Sequence, residues 1–516
     1  MTEESGNSVN LIETESCAEA SILPEDHTTP FIRSQNEDWD LEGTPAEVVG
    51  RIIDEIGTTR RHLFIAILLG FANSVDAVEV TSFAYILTVV ENPFTGKLVA
   101  DDPLWSGLLT SAVYVGMLIG GIISGLNGDR FGRKPVLVFS MLVNSLFAIA
   151  SAITTKLHQK FQLPWLLVCR FGSGLGVGGT IPSVFTLMAE ISSARSRGYH
   201  VNVVAFFWMF GLLGTAILAR CLLYDEYTRD YRSENWPAFA FVAGIPAGIC
   251  ATLSGIFLIE SPRYLIIKGE NAKAARSLSF LAGAANQNSV VREAILTLKE
   301  RDTRNCRSFN ENSSRNSFQE RLKIFSEKEI QKTAILIGSI WFLLSFAGYG
   351  ISTWIAEIFK RVKFDDPYAA SILFALSSFP GNLMATLSVE KIGRKRLLVY
   401  SFGTGALAAF VFSLATDSKG LVLACVCIYQ ASITSCWNTI DAISAESFPS
   451  VIRSFAFGLM TAAGRIGAVT GNILNSVLFK NTSVGVVLAI TGCSLTLASL
   501  AAGRLKDMTG RSLREL

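Results

Sequence analysis

Apolar runs of about twenty residues recur along the whole chain, the length a helix needs to cross a hydrocarbon layer ~30 Å thick. They fall near 63–89, 105–127, 135–155, 163–189, 201–223 and 236–259. After a polar stretch they resume near 333–357, 368–389, 397–416, 421–445, 454–479 and 484–503. In hydrocarbon each segment has to satisfy its own backbone N–H and C=O groups, so runs of this kind predict helices. The expected class is an all-α membrane protein with about twelve transmembrane helices in two sets of six. Composition agrees: 17% of residues are charged and the mean hydropathy is +0.40, against roughly 25% charged in soluble domains.

The two sets repeat one another. Residues 129–140 read DRFGRKPVLVFS and residues 390–401 read EKIGRKRLLVYS, each in a short polar gap between apolar runs. Glu190 precedes Arg197 at the spacing by which Glu446 precedes Arg453. Halves related by such internal repeats, each carrying a charged hairpin between spans, are a pattern of transporters. Arg130, Arg133, Lys134, Arg195, Arg197, Lys391, Arg394, Lys395, Arg396, Arg453 and the basic C-terminal tail all fall on one face if both termini are cytoplasmic. Arg229, Arg232, Lys360, Arg361 and Lys363 fall on the other face and count against that orientation.

The expected organisation follows. Residues 1–44 are an acidic, polar tail expected to be disordered. Residues 45–60 form an amphipathic helix, lying on the membrane or on the bundle, with Val48, Val49, Ile52, Ile53 and Ile56 on one face. Residues 61–259 and 332–503 are the two six-helix bundles, 260–331 a cytoplasmic linker and 504–516 a cytoplasmic tail. The first residues, MTEESGNSVN, lack the basic and apolar regions of a cleaved leader.

Several function classes are not expected. A net charge of +2 argues against nucleic acid, and nine scattered cysteines do not form a disulfide framework. There is no Walker A run, and His27, His62, His158 and His200 lie outside span centres, so no enzyme activity, cofactor or metal site is expected. The run GSGLGVGG at 172–179 lies inside a span and reads as close helix packing rather than a dinucleotide loop.

Ionisable residues deep in apolar runs are the candidate site. Asp76 and Glu79 lie three apart in the first span, Arg170 in the outer half of the fourth, Asp441 in the tenth and Arg465 in the eleventh. A lipid-exposed charge costs at least ~2.5–3.5 kcal/mol on insertion scales. These groups should therefore face a cavity or one another. In the first case the acids attract a cation or carry a coupling proton, and Arg465 pairs an anionic group. In the second they are static interhelical pairs, and for Arg170 the two readings balance. Trp437 and Asp441, four apart, share a helix face.

The motifs GLNGDRFGRK and EKIGRKR, Arg170, Glu190 with Arg197, and Glu260-Ser-Pro-Arg263 resemble those of the major facilitator superfamily. Within it, VDAVEV (75–80), GGTIPSVF (178–185), FFWMFG (206–211), SFPGNLMATLSVEKIGR (378–394) and WNTIDAISAESFPSVIRSFAFG (437–458) are similar to the synaptic vesicle glycoprotein 2 and SV2-related group. That group's large luminal domain between spans seven and eight is missing, since only about 359–367 separates them here. The resemblance implies the major facilitator fold and a substrate or coupling cavity that includes Trp208, Trp437, Asn438 and Asp441. Tyr349, in SFAGYG, is a further gate or cavity candidate. It also implies a cytoplasmic conformational latch built from Asp129, Arg130, Gly132, Arg133, Glu190, Arg197, Glu260, Arg263, Arg394, Glu446 and Arg453.

The expected function is transport of a small organic solute by alternating access, facilitative or coupled to an ion such as the proton. The alternative is a non-transporting vesicle-type membrane protein that acts through protein partners at its tail and linker. The bilayer is that of an intracellular vesicle or the plasma membrane.

Overall fold

The computed structural model describes residues 45–225, 227–228, 230–283, 289–300, 323–414, 418–448 and 452–505. The acidic tail, the middle of the linker and the C-terminal tail beyond residue 505 lie outside them.

Twelve long helical segments follow one another. They are Arg60–Ile86, Pro103–Phe131, Arg133–Ser151, Gln159–Ile191, Arg197–Leu223 and Trp236–Phe257, then Lys328–Ser352, Pro367–Leu376 continued by Ser378–Ile392, Arg394–Leu414, Lys419–Glu446, Arg453–Asn481 and Val484–Gly503. They are called the first to twelfth spans. Among the described residues, eleven are long and apolar enough to cross a membrane. The exception is the eleventh. Its 29 residues would reach about 44 Å, but it carries Arg465, Asn472 and Asn475. It packs on the second and seventh spans, which gives those polar groups protein rather than lipid for neighbours.

Several helices start where an acid or hydroxyl precedes proline. Asp102 accepts from the backbone N–H of Leu104 at 3.1 Å, Asp366 from Ala369 at 2.8 Å and Ser261 from Tyr264 at 3.3 Å. Each satisfies N–H groups that the first turn leaves unpaired, while proline supplies a preset φ and has no N–H to satisfy. The fifth and eighth spans break midway, at Phe207 and Ser377. They meet there, with Phe206 and Phe379 ring centres 5.9 Å apart.

Spans one to six pack mainly on one another, as do seven to twelve, and the sets meet through second-on-eleventh and fifth-on-eighth contacts. The glycine run explains the tightness of the first set. Gly174 and Gly178 lie against the backbone of Val113 and Met117 in the second span, while Gly172, Gly176 and Gly179 lie against Phe147, Asn144 and Ser140 in the third. Two glycine stripes let one helix touch two neighbours at backbone distance.

The amphipathic helix is Pro45–Ile56. Its apolar face is buried, with Val48, Val49, Ile52 and Ile53 at most 1% exposed. Its partners are the linker helices Pro262–Ile267, Asn271–Ala282 and Ser289–Glu300. Asp54 pins it to the turn between the fourth and fifth spans by accepting the Ala194 N–H at 2.7 Å.

Candidate functional site

The repeated hairpin defines one end of the molecule, the motif face. Gly132 joins the second and third spans at φ +104°, and a Cβ there would collide with the Glu260 carboxylate. Glu260 accepts the backbone N–H of Arg133 at 3.0 Å, of Lys134 at 3.2 Å and of Ser261 at 2.8 Å. It thus places an acid on the N-terminus of the third span, where the helix dipole favours one. Burial pushes its carboxyl above the usual range, and those N–H bonds oppose the shift.

Arg133 donates to the Gly128 carbonyl at 2.8 Å and to Glu190 at 3.1 Å, and its guanidinium lies 5.2 Å from the Tyr264 ring. The Tyr264 hydroxyl donates to the Arg130 carbonyl at 2.8 Å. Arg263 stands in the fields of Arg197, Glu190 and Asp54; burial and Arg197 lower its proton affinity. Arg130, Gly132, Arg133, Glu190, Arg197, Glu260 and Arg263 are thereby gathered at one end of the first set. In the second copy Gly393 has φ +88°, and Arg394 lies 2.7 Å from Glu446. The side chains of Asp129 and Arg453 lie outside the described residues.

Gly132→Ala should cost about 1–3 kcal/mol, because φ stays in the left-handed region and Glu260 is displaced. Gly128→Ala, with open space around it, should cost nothing or stabilise slightly. Thermal unfolding in detergent distinguishes the two.

At the opposite end, the far face, bonds cross between the two sets. Lys360 donates to the Thr88 carbonyl at 2.8 Å and sits 4.5 Å from the Tyr231 ring centre. Arg361 reaches Asp101 at 2.9 Å, and Arg220 reaches Asp366 at 2.8 Å. The Tyr224 hydroxyl donates to the Asp365 carbonyl at 2.6 Å, and the hydroxyls of Thr88 and Tyr368 are 2.9 Å apart. On the motif face, by contrast, the pairs Arg133–Glu190 and Arg394–Glu446 each stay within one set. Lys360 and Arg361, which weaken the orientation reading, therefore belong to a seam between the sets. Sequence reasoning missed this seam; its signal was bases and acids together in short loops.

Between the two ends lies the central group. Trp208, Tyr349, Trp437, Asn438, Asp441 and Arg465 are all half-buried. Arg465 donates to the Tyr349 hydroxyl at 3.1 Å, with its guanidinium 5.5 Å from that ring. Tyr349 lies 5.4 Å from Trp437, and Trp437 lies 5.3 Å from Trp341. Tyr114 of the second span lies 5.1 Å from Tyr349, and Trp208 packs in the same apolar cluster as Tyr349, Tyr114 and Ala468. Asn438 donates to the Asn382 side-chain carbonyl at 2.7 Å. The Arg465 charge acts on both Asp441 and Asp76. Trp341, Tyr114 and Asn382 were not foreseen, because an isolated aromatic or amide in an apolar run looks the same whether it faces lipid or a partner.

Asp76 is 0% exposed, and neither carboxyl oxygen has a hydrogen-bond partner. The Thr180 hydroxyl beside it donates instead to the Gly176 carbonyl at 3.1 Å.

Glu79 stands apart from the central group. It accepts from Arg170 at 2.6 Å and from the Ser173 hydroxyl at 2.7 Å, inside the first set rather than with the central group. Arg170 also lies 4.8 Å from the Phe83 ring. The first and fourth spans run antiparallel, so three residues further along the first meets an earlier turn of the fourth. Glu79 and Arg170 thus pair with each other between the first and fourth spans. A pocket of about 10 Å³ lined by Glu79, Ser82, Arg170 and Ser173 adjoins them, roughly the space of one water.

The family model for "Sugar (and other) transporter" matches residues 62–516. The chain belongs to that family. It is therefore a membrane solute transporter and not an enzyme, and the reading as a non-transporting, partner-binding protein is not favoured. The transporter is similar to mouse synaptic vesicle glycoprotein 2C, with 23% identity over 88% of this chain and 80% of that protein. It is also similar to the niacin transporter NiaP of Acinetobacter baylyi, with 26% identity over 83% of this chain and 89% of that one. Among solved structures it matches the xylose transporter XylE of E. coli in a partially occluded inward-open conformation. That match has TM-score 0.69 and 20% identity, covering 88% of this chain and 99% of XylE. The likeness places the transporter in the major facilitator fold.

Proposed function

We propose that the protein carries a small organic solute through its centre by alternating access, with residues 61–259 and 332–503 as the moving halves and the motif face towards the cytoplasm. The observation that supports this best is the half-buried central group, in which aromatic rings and both signs of charge meet between two sets of helices. The seam holds the far face closed in this state. In the reverse state the seam parts, and the hairpin clusters act as the latch on the other side.

The relatives' named solutes, niacin and xylose, are both small polar rings. Arg465 with Tyr349, Trp437 and Trp341 suits a flat ring bearing an anion. The amides of Asn438 and Asn382 suit hydroxyl groups. Asp76 is the proposed carrier of a coupling proton. An unpartnered carboxylate at that depth costs several kcal/mol, so proton and carboxyl move between the closed and open forms together. The tail and linker remain the proposed places for protein partners, and a vesicle or plasma membrane the proposed compartment.

Uptake of labelled niacin and xylose into proteoliposomes, with and without an inward proton gradient, tests the reading. Asp441→Asn should reduce uptake roughly ten- to a hundredfold, the loss of one charged contact worth about 1.5–3 kcal/mol, with expression and melting unchanged. Uptake as fast as in the unaltered protein would remove Asp441 from the path.

A further inference from the structure

Glu357 lies in the short helix Ile355–Arg361, between the seventh and eighth spans and outside the central group. It is 3% exposed although it sits at the far face. One carboxyl oxygen takes the Arg361 Nε–H at 2.6 Å; the other has no hydrogen-bond partner. Arg361 and Lys360 face it from its own helix, Asp101 from the turn before the second span and the Tyr368 phenol from the eighth. From the eleventh span, the Phe479 carbonyl takes a second Arg361 N–H at 2.6 Å. Glu357 thus stands behind Arg361 and Lys360, whose far ends hold Asp101 and the Thr88 carbonyl across the seam.

We propose that Glu357 is a proton-binding site of the far face, and that a proton taken up there tightens the seam between the two halves. The carboxyl is walled in while the seam is closed and would meet water once it parts. Removing a carboxylate from water can cost more than one ion pair returns, and here one oxygen has no donor. Burial accordingly raises the proton affinity of Glu357; Arg361 and Lys360 oppose this in part, and Asp101 adds to it.

The sign follows from linkage. A group that holds its proton more firmly in the closed form favours that form as pH falls through its closed-state value. Above that value the buried charge weighs against closure. The closed-to-open ratio shifts about tenfold for each unit separating the two affinities. Arg361 keeps its bonds to Asp101 and Phe479 when Glu357 is neutral, so the seam survives protonation. This rests on the reading that the halves part at the far face.

Spin labels at Gln159 and Leu414, both exposed far-face ends of opposite halves, measure the gap in the full-length protein in nanodiscs. Endogenous reactive cysteines are replaced first. In the parent protein, lowering the pH from 7.5 to 5.0 should enrich the short distance. Glu357→Gln should hold the short distance at both pH values, whereas Asp101→Asn should widen the gap and keep the pH response. A pH response as large in Glu357→Gln as in the parent, or a gap widened by that change, overturns the proton site and leaves the transport reading standing, since Asp76 supplies its own smaller response. A gap that never changes under any pH or solute condition undermines both.

Discussion

A leucine in place of Gly178 should leave the first six spans unable to pack. The position faces the backbone of Met117, and no flexible side chain there can swing away. Overpacking a filled core usually costs 1–3 kcal/mol and occasionally more; a clash with helix backbone belongs at or beyond the upper end. The expected result is a monodisperse peak lost or sharply reduced in detergent chromatography, with a melting temperature well below that of the parent. Gly214→Leu, at an exposed position with nothing within 4 Å, should behave like the parent. Equal stability of the two variants would contradict the close approach of the second and fourth spans.

The second large effect concerns the Glu79–Arg170 pair. Removing one member strands a buried charge and should cost about 3–5 kcal/mol. Glu79→Gln and Arg170→Met should each lower thermal stability strongly, while the double variant should lie above the less stable single one. That pattern is the mark of a coupled pair, because neighbours are not additive. Additive losses would show that each side chain is held by something other than its partner. The buried position, with 6% and 4% exposure, makes the coupling insensitive to salt, unlike a surface pair.

The spans were legible because crossing a bilayer imposes one length and one polarity, and both are local properties of a sequence. The glycine run was legible for a related reason: five glycines within eight residues at helical spacing have few uses other than close contact. The hairpin repeat was legible as sequence, and the structure adds that Gly132 and Gly393 both adopt positive φ. Pairings across long stretches of chain were not legible. Nothing near Glu79 says that Arg170, ninety-one positions away, will take it out of the centre. The far-face seam escaped for the same reason, because it joins loops and helix ends whose neighbours are set by the packing of whole bundles. Trp341 and Tyr114 show the limit on the apolar side: burial against a partner and burial in lipid select the same residues.

The polar character of Arg453–Asn481 has a consequence for how the protein is made. A helix carrying Arg465, Asn472 and Asn475 gains little from entering lipid alone, since charged and amide groups at mid-depth offset its apolar residues. Its integration during synthesis must lean on helices already in place, the second and the seventh, which it touches in the finished molecule. The order of synthesis suits this, since both of those helices precede it in the chain.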